Sequence, residues 1–468
     1  MKKCFYIPDE IISKLKYVFL GIFVISMIAY AYFFKWADAN VYLLLATIFA
    51  IYMAINLWAN DVANNMGPAV WAKAISLWWA IAIAMIFEAA WAIIAGWDVV
   101  NTIKGWIIDP NFFEAGSIEF IAIMLATLLG SALWVNIATF FKAPVSITHS
   151  ILWGLIWAWI TSAGFEVVNW PVVIKVMIAL VIAIFMWWII STLIYISIRK
   201  TILKQKDKWE AAKHWVPIYI SLMTFVFSLY LILNWLKHKL WPIKEYIENL
   251  WLNFTSTAVF TSIILAITIY ILLIVNYKNK KKNYFEDSKD FVNKLFNLPL
   301  IFAVALLSFA HWANDVANAI WPLAAIYDTT VESSKNLKEV WVPTWIMILW
   351  ALSLSFWLAV FGARLIKTVW KSITKLDQTR SYSIALAAAI TVIIASGLWI
   401  PVSTTQIALG WIFGIWLFRQ YLKLRKWKDK KVIEMGKLKW IILSWVITFP
   451  VAWIIASLIY LTIIFLSK

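Results

Sequence analysis

Two carboxylates stand in apolar surroundings where lipid would be expected. The string ANDVANNMGPAV begins at Ala59, and ANDVANAIWPLA begins at Ala313. On a helix, positions three and four apart are neighbours, so Asn60, Asp61 and Asn64 share one face, as do Asn314, Asp315 and Asn318. An ionised side chain inside a membrane is costly and usually marks an ion or substrate path. The plainer alternative is that Asp61 and Asp315 pair with amides to hold helices together. Pro68 and Pro322 follow the two motifs and predict a helix break nearby, which would expose carbonyls able to hold cations.

A second pair of motifs offers the opposite polarity. Pro144-Val-Ser146-Ile-Thr148-His149-Ser150 and Pro401-Val-Ser403-Thr404-Thr405-Gln406 each precede an apolar run. Ser and Thr cap helix starts and Pro suits them. Such a start presents free N–H groups and the positive end of the dipole, a ready anion site. Simple capping of a re-entrant helix is the competing reading. Taken together, two hydroxyl-rich helix starts would hold an oxyanion while Asp61 and Asp315 repel it. No Arg or Lys lies in the motifs to offset that repulsion, so the anion should bind only with positive ions. Na⁺ suits carboxylate and carbonyl oxygens, with Asp61, Asp315, Asn64 and Asn318 as its candidates, and a proton on either aspartate would also reduce the repulsion.

The elements that must position these residues are membrane helices. The chain has 468 residues, of which 64% are hydrophobic and 14% charged, with a mean hydropathy of +0.82. Apolar runs fall at 17–34, 41–58, 69–97, 117–141, 145–164, 171–198, 215–236, 254–276, 299–312, 343–366, 383–399, 401–418 and 438–466. Runs of this length predict an all-α polytopic membrane protein with broken or re-entrant helices and about 12 to 13 membrane segments. The alternating short strands of a barrel are not visible. The run at 17–34 reads as a retained helix and not a cleaved signal. The net charge of +17 sits in loops between apolar runs, which points to the positive-inside rule and not to nucleic acid. Cys4 is the only cysteine, so no intrachain disulfide can form, and the four histidines show no metal-ligand spacing. No cofactor is expected beyond a coupling ion.

Two different motifs recur in the same order, so the chain reads as a duplication. Residues 1–39 form an N-terminal segment with an additional helix, 40–200 the first repeat, 201–296 a connecting region with two helices and basic loops, and 297–468 the second repeat. Arg364, Lys367, Lys371, Lys375 and Arg380 precede the second hairpin, and Arg419, Lys423, Arg425, Lys426, Lys428, Lys430 and Lys431 follow it. The matching loops of the first repeat carry Asp98, Lys104, Asp109 and Glu114, then Glu166 and Lys175. One pair of loops belongs inside and the other outside, so the repeats are expected to be inverted, an arrangement that transporters use. The expected location is a plasma (inner) membrane, and the same rule puts the N-terminus in the cytoplasm.

These residues resemble the inorganic phosphate transporter (PiT) family of symporters, whose duplicated signature is GANDVAN with a following P-V-S-T-T element. The resemblance covers both repeats and includes FEAA at Phe87 to Ala90 and the S-F-A-H lead into the second signature. It implies import of inorganic phosphate by Na⁺ or H⁺ symport, through an alternating-access site enclosed by both repeats. Carried over, the substrate and cation residues are Asn60, Asp61, Asn64, Ser146, Thr148, Ser150, Asn314, Asp315, Asn318, Ser403, Thr404 and Thr405. Further coupling candidates are Glu88, whose repeat counterpart is Leu354, together with His311 and the equivalent pair His149 and Gln406. For Glu88 an interhelical hydrogen bond is an equal alternative, and for His311 a packed structural role. The partners expected are inorganic phosphate and membrane lipid, with a homodimer left open. Sulfate is the competing anion. Only phosphate can donate a hydrogen bond to an aspartate, which leans the reading towards it. A channel would show charged rings or repeated carbonyl filters, and no zinc or nucleophile arrangement suggests an enzyme.

One pattern fits none of this. Trp58 and Trp312 stand where the family signature has Gly, and Trp321 aligns internally with Gly67. The chain holds 34 Trp and only 13 Gly, whereas about 7% Gly is usual and membrane helix contacts need small residues. Belt anchors explain some tryptophans but not those in mid-helix. Either the indoles are authentic and crowd the site, or they mark UGA codons, which some bacteria read as glycine.

Overall fold

The structure, a computed structural model, describes residues 21–30, 32, 40–89, 112, 114, 116–141, 143, 145–236, 253–278, 289–331, 342–370, 376–397, 403, 405, 406, 410 and 435–468. For some helical residues, including 57–63 and 310–319, only the backbone is described. The described residues are mostly helical and contain no extended strand. In chain order the helices are α1 (Gly21–Tyr30), α2 (Val41–Trp71), α3 (Leu77–Ala89), α4 (Ile118–Phe140), α5 (Ile147–Ala163), α6 (Trp170–Ile198), α7 (Lys208–Tyr230), α8 (Phe254–Lys278), α9 (Lys289–Leu295), α10 (Asn297–Thr330), α11 (Thr344–Trp370), α12 (Gln378–Gly397) and α13 (Met435–Ser467). Among them α4, α6, α7, α8, α12 and α13 are long and apolar enough to cross a membrane.

Polar residues set the helix boundaries. The Asn40 carboxamide oxygen accepts from the backbone N–H groups of Tyr42 and Leu43 at the start of α2. Ser117 caps α4, Asp207 caps α7, and Asp377 accepts from the Arg380 N–H at the start of α12. Each satisfies a donor that the helix itself leaves without a partner. Gly164 ends α5 at φ +84°, a left-handed conformation that side chains disfavour.

The signature helices lie at the centre. Helix α2 packs against α10, and both touch α4 and α12; α10 also touches α5. Helices α4 and α12 are buried along most of their length, whereas α8 and α13 expose mostly apolar side chains, as lipid-facing helices do. A further correspondence sits in the outer layer: WIISTLIYISI at 188–198 in α6 matches WIIASLIYLTI at 453–463 in α13. These two helices are exchanged. Helix α13 packs on α4 and α5 of the first half, and α6 packs on α12 of the second.

The helix break expected near each proline follows only Pro68, where α2 stops at Trp71; past Pro322, α10 continues to Thr330. Helix α2 runs through Pro68 and α10 through Pro322. The apolar run at 41–58 therefore continues through the signature as one helix, and the run at 69–97 starts inside it. Proline lacks an N–H, so each helix forfeits one bond without having to end. Membrane helices tolerate this where neighbouring groups can satisfy the freed oxygen.

Several tryptophans fit their surroundings poorly. The indole N–H groups of Trp71, Trp134 and Trp170 reach Ile366 O, Thr448 Oγ1 and Phe165 O. Those of Trp157, Trp187, Trp209, Trp321 and Trp350 are buried with no hydrogen-bond acceptor. A buried donor left unpaired costs about 1–3 kcal/mol.

The contact between α4 and α13 tolerates no enlargement. A Cβ on Gly130 would lie 3.1 Å from Ala456 Cα, while one on Gly436 would meet nothing within 4 Å. Gly130→Leu should destabilise by about 1–3 kcal/mol through overpacking, read as a lowered thermal midpoint of the detergent-solubilised protein, with Gly436→Leu close to the parent.

Candidate functional site

Both hydroxyl motifs begin helices by the same device. Ser146 is the N-cap of α5, and its Oγ accepts from the His149 N–H at 3.1 Å. In the second half, Ser403 Oγ accepts from the Gln406 N–H at 3.2 Å. Serine at the cap and a polar residue three positions on occur in both copies, so the two starts are chemically equivalent. Each cap consumes one N–H of the first turn. The N–H groups ahead of it have no intrahelical acceptor, and the dipole adds positive potential there. Helix α5 has 17 residues, roughly 25 Å at 1.5 Å each, which is short of a full hydrocarbon core. It folds back on α4 as a hairpin.

The cap oxygens and neighbouring hydroxyls are not equally available. Ser150 Oγ donates to Ser146 O at 2.8 Å, so its proton is used within its own helix. The Ser150 carbonyl in turn accepts from Ser131 Oγ on α4 at 3.0 Å, which fixes the hairpin. The His149 ring lies 2.8 Å from Ser146 Oγ through Nδ1, whereas Gln406, in the equivalent slot, keeps its Oε1 buried without a hydrogen-bond partner. Of the expected contacts at the two slots, the first is spent on the cap serine and the second offers an acceptor.

The two halves meet at Asn64. Its Nδ2 lies 3.5 Å from Thr405 Oγ1, a long hydrogen bond that joins the first signature to the second hydroxyl motif. Ser146, Thr148, His149, Ser150, Ser403, Thr405, Gln406 and Asn64 are all buried. Glu88 on α3 is fully buried, and its Oε1 accepts from Asn65 Nδ2 at 3.4 Å. This is the interhelical hydrogen bond named as one of its two roles. Leu354, its repeat counterpart, is buried on α11. Asn60, Asp61, His311, Asn314, Asp315 and Asn318 lie on α2 and α10, but their side chains fall outside the described residues, as does Thr404 entirely. The structure thus brings Asn64 to Thr405 and packs the two helices that carry the aspartates. Asn65 and Ser131 are buried polar partners that sequence reasoning missed. The doubled Asn at 64–65 was a visible sign of the first, and Ser131 had no motif to mark it.

The sequence model of the Phosphate transporter family matches residues 58–456. The chain belongs to this family. Two relatives carry the printed name "putative phosphate permease". The one from Helicobacter pylori (strain J99) is 42% identical over 414 residues, covering 88% of this chain and 75% of the relative. The one from Pyrococcus horikoshii is 33% identical over 419 residues, covering 90% and 97%. Among solved structures, "The sodium-dependent phosphate transporter" superimposes with a TM-score of 0.77 at 26% identity, covering 90% of this chain and 99% of that one. As a member of this family the chain is a multi-pass membrane transporter, and phosphate transport is the activity the family supports.

The caps give a direct test of helix positioning. Ser146→Ala and Ser403→Ala should each cost about 1 kcal/mol and lower the thermal midpoint. Ser→Thr at the same positions, which can still cap, should recover most of that loss.

Proposed function

We propose that the chain imports inorganic phosphate by cation symport, with Na⁺ as the coupling ion and an alternating-access site between inverted repeats 40–200 and 297–468. The observation that carries the reading is the Asn64–Thr405 contact between two halves that each present a serine-capped helix start. Sodium is preferred to a proton because the structural neighbour is named a sodium-dependent phosphate transporter. The hard oxygen donors that suit Na⁺ are the two aspartates with Asn64 and Asn318, carried by the same two helices.

The coupling follows from charge. At about 4 Å and an effective dielectric near 20, one aspartate costs an oxyanion roughly 4 kcal/mol, on the order of a thousandfold in affinity. A cation at similar range returns a comparable amount. Phosphate and Na⁺ therefore bind well only together, which ties the movement of one to the gradient of the other. The phosphate oxygens take N–H groups at the starts of α5 and of the helix after Ser403. The Gln406 amide oxygen and the aspartates accept hydrogen bonds from the protonated oxygens of phosphate.

The inverted arrangement is supported by the loops of the exchanged helices. Helix α6 runs from the Glu166 side towards Arg199, Lys200, Lys204 and Lys206, while α13 starts among Lys437 and Lys439. With basic loops inside, the two helices run in opposite directions across a plasma (inner) membrane, and the N-terminus is cytoplasmic.

Uptake of labelled phosphate into proteoliposomes, with the Na⁺ and pH gradients varied separately, tests the reading. Saturable accumulation driven by Na⁺ is expected, and Asp61→Asn or Asp315→Asn should abolish it while leaving membrane insertion intact. Gradient-independent flux would point to a channel. Full competition by sulfate would reassign the anion, and unchanged uptake in both variants would remove the aspartates from the mechanism.

A further inference from the structure

The two hydroxyl motifs align without a gap into the helices they start: Ser146 pairs with Ser403, and so on downstream. In that register Trp153 pairs with Gly410, Gly154 with Trp411, and Trp157 with Gly414. With Gly67 and Trp321 in the signatures, four positions hold glycine in one repeat and tryptophan in the other. These are the smallest and largest side chains, and the exchange runs in both directions. The chain has only 13 glycines, so four such pairings are far from what random divergence would give.

The structure turns one of these pairs into a packing contradiction. A Cβ on Gly410 would lie 3.1 Å from Ile184 Cγ2 and 3.1 Å from the Ile184 carbonyl oxygen on α6. The α6 and α13 correspondence places Phe449 at the position of Ile184. Phe449 is what Trp153 meets, edge to face, at 4.5 Å between ring centroids. The equivalent position thus holds a glycine against backbone in one repeat and an indole against a phenyl ring in the other. Trp157 adds a second ring to that contact, 5.5 Å from Phe449 and 4.6 Å from Trp453, with its buried N–H unpaired. Trp321 is likewise buried with an unpaired N–H. Gly154, the partner of Trp411, is closely hemmed in: a Cβ there would stand 2.8 Å from Ser131 Oγ.

We infer that Trp153, Trp157, Trp321 and Trp411 are glycines in the protein as its own cell makes it, encoded by UGA codons that the cell reads as glycine. Both repeats then carry glycine at all four places, and Phe449 faces a glycine as Ile184 does. The duplication regains its symmetry where helices approach most closely, which is where membrane helix packing depends on small residues. The inference stands apart from the identity of the transported ion.

The test is the gene and the native protein. UGA at the four positions, and tryptic peptides from the source cell whose masses carry glycine there, are expected. UGG codons, or tryptophan in those peptides, would overturn the inference. An independent readout is stability. A synthetic gene expressed in a host with the standard code should give a higher thermal midpoint in detergent with Trp153→Gly, Trp157→Gly, Trp321→Gly and Trp411→Gly combined than with tryptophan retained. An equal or lower midpoint would count against the packing argument, whether or not either form transports phosphate.

Discussion

Under the symport we propose, the architecture answers to one electrostatic constraint: an anion must be held beside carboxylates in a medium that screens charge weakly. Helix starts provide positive potential without a basic side chain, which would bind phosphate whether or not a cation were present. Serine caps at 146 and 403 fix where those starts fall. On that proposal, the absence of Arg and Lys from the motifs leaves the compensating charge to be supplied by an ion that can leave. The packing of α2 on α10 and the hairpin of α4 and α5 position the helices that carry these groups.

Much of this was legible in the residues. The duplicated ANDVAN and PVS strings identified the helices that meet at the centre, and the equivalence of His149 and Gln406 reappears as two matching caps. The fate of the prolines was not legible. Sequence alone could not show that Pro68 and Pro322 would be absorbed within helices of 31 and 34 residues, because the cost of a missing hydrogen bond depends on what neighbours the freed carbonyl. Nor could it show that the Ser150 hydroxyl is turned back onto Ser146, since a serine near a helix start can point either into its own helix or away from it. The buried pairing of Asn65 with Glu88 joins two helices across a turn whose path local patterns do not fix.

The symmetry between the halves is close in backbone roles and loose in side chains. Histidine at 149 makes a ring contact with its cap serine, while glutamine at 406 leaves an oxygen unengaged. Glu88 has a leucine as its counterpart. Two halves built alike but furnished differently can bind the same small ion from unlike sides. A transporter whose two faces meet different solutions has a use for that difference.

The exchange of α6 and α13 bears on how the chain is assembled. Helix α4 is covered by α13, so its buried face stays without its eventual partner until Met435–Ser467 emerges from the ribosome. At about 5–20 residues per second that interval is on the order of tens of seconds. Helix α12, by contrast, finds α6 already waiting. The first half is therefore inserted as an open cradle and the second closes it, which makes biogenesis sequential even though the finished halves interlock as equals.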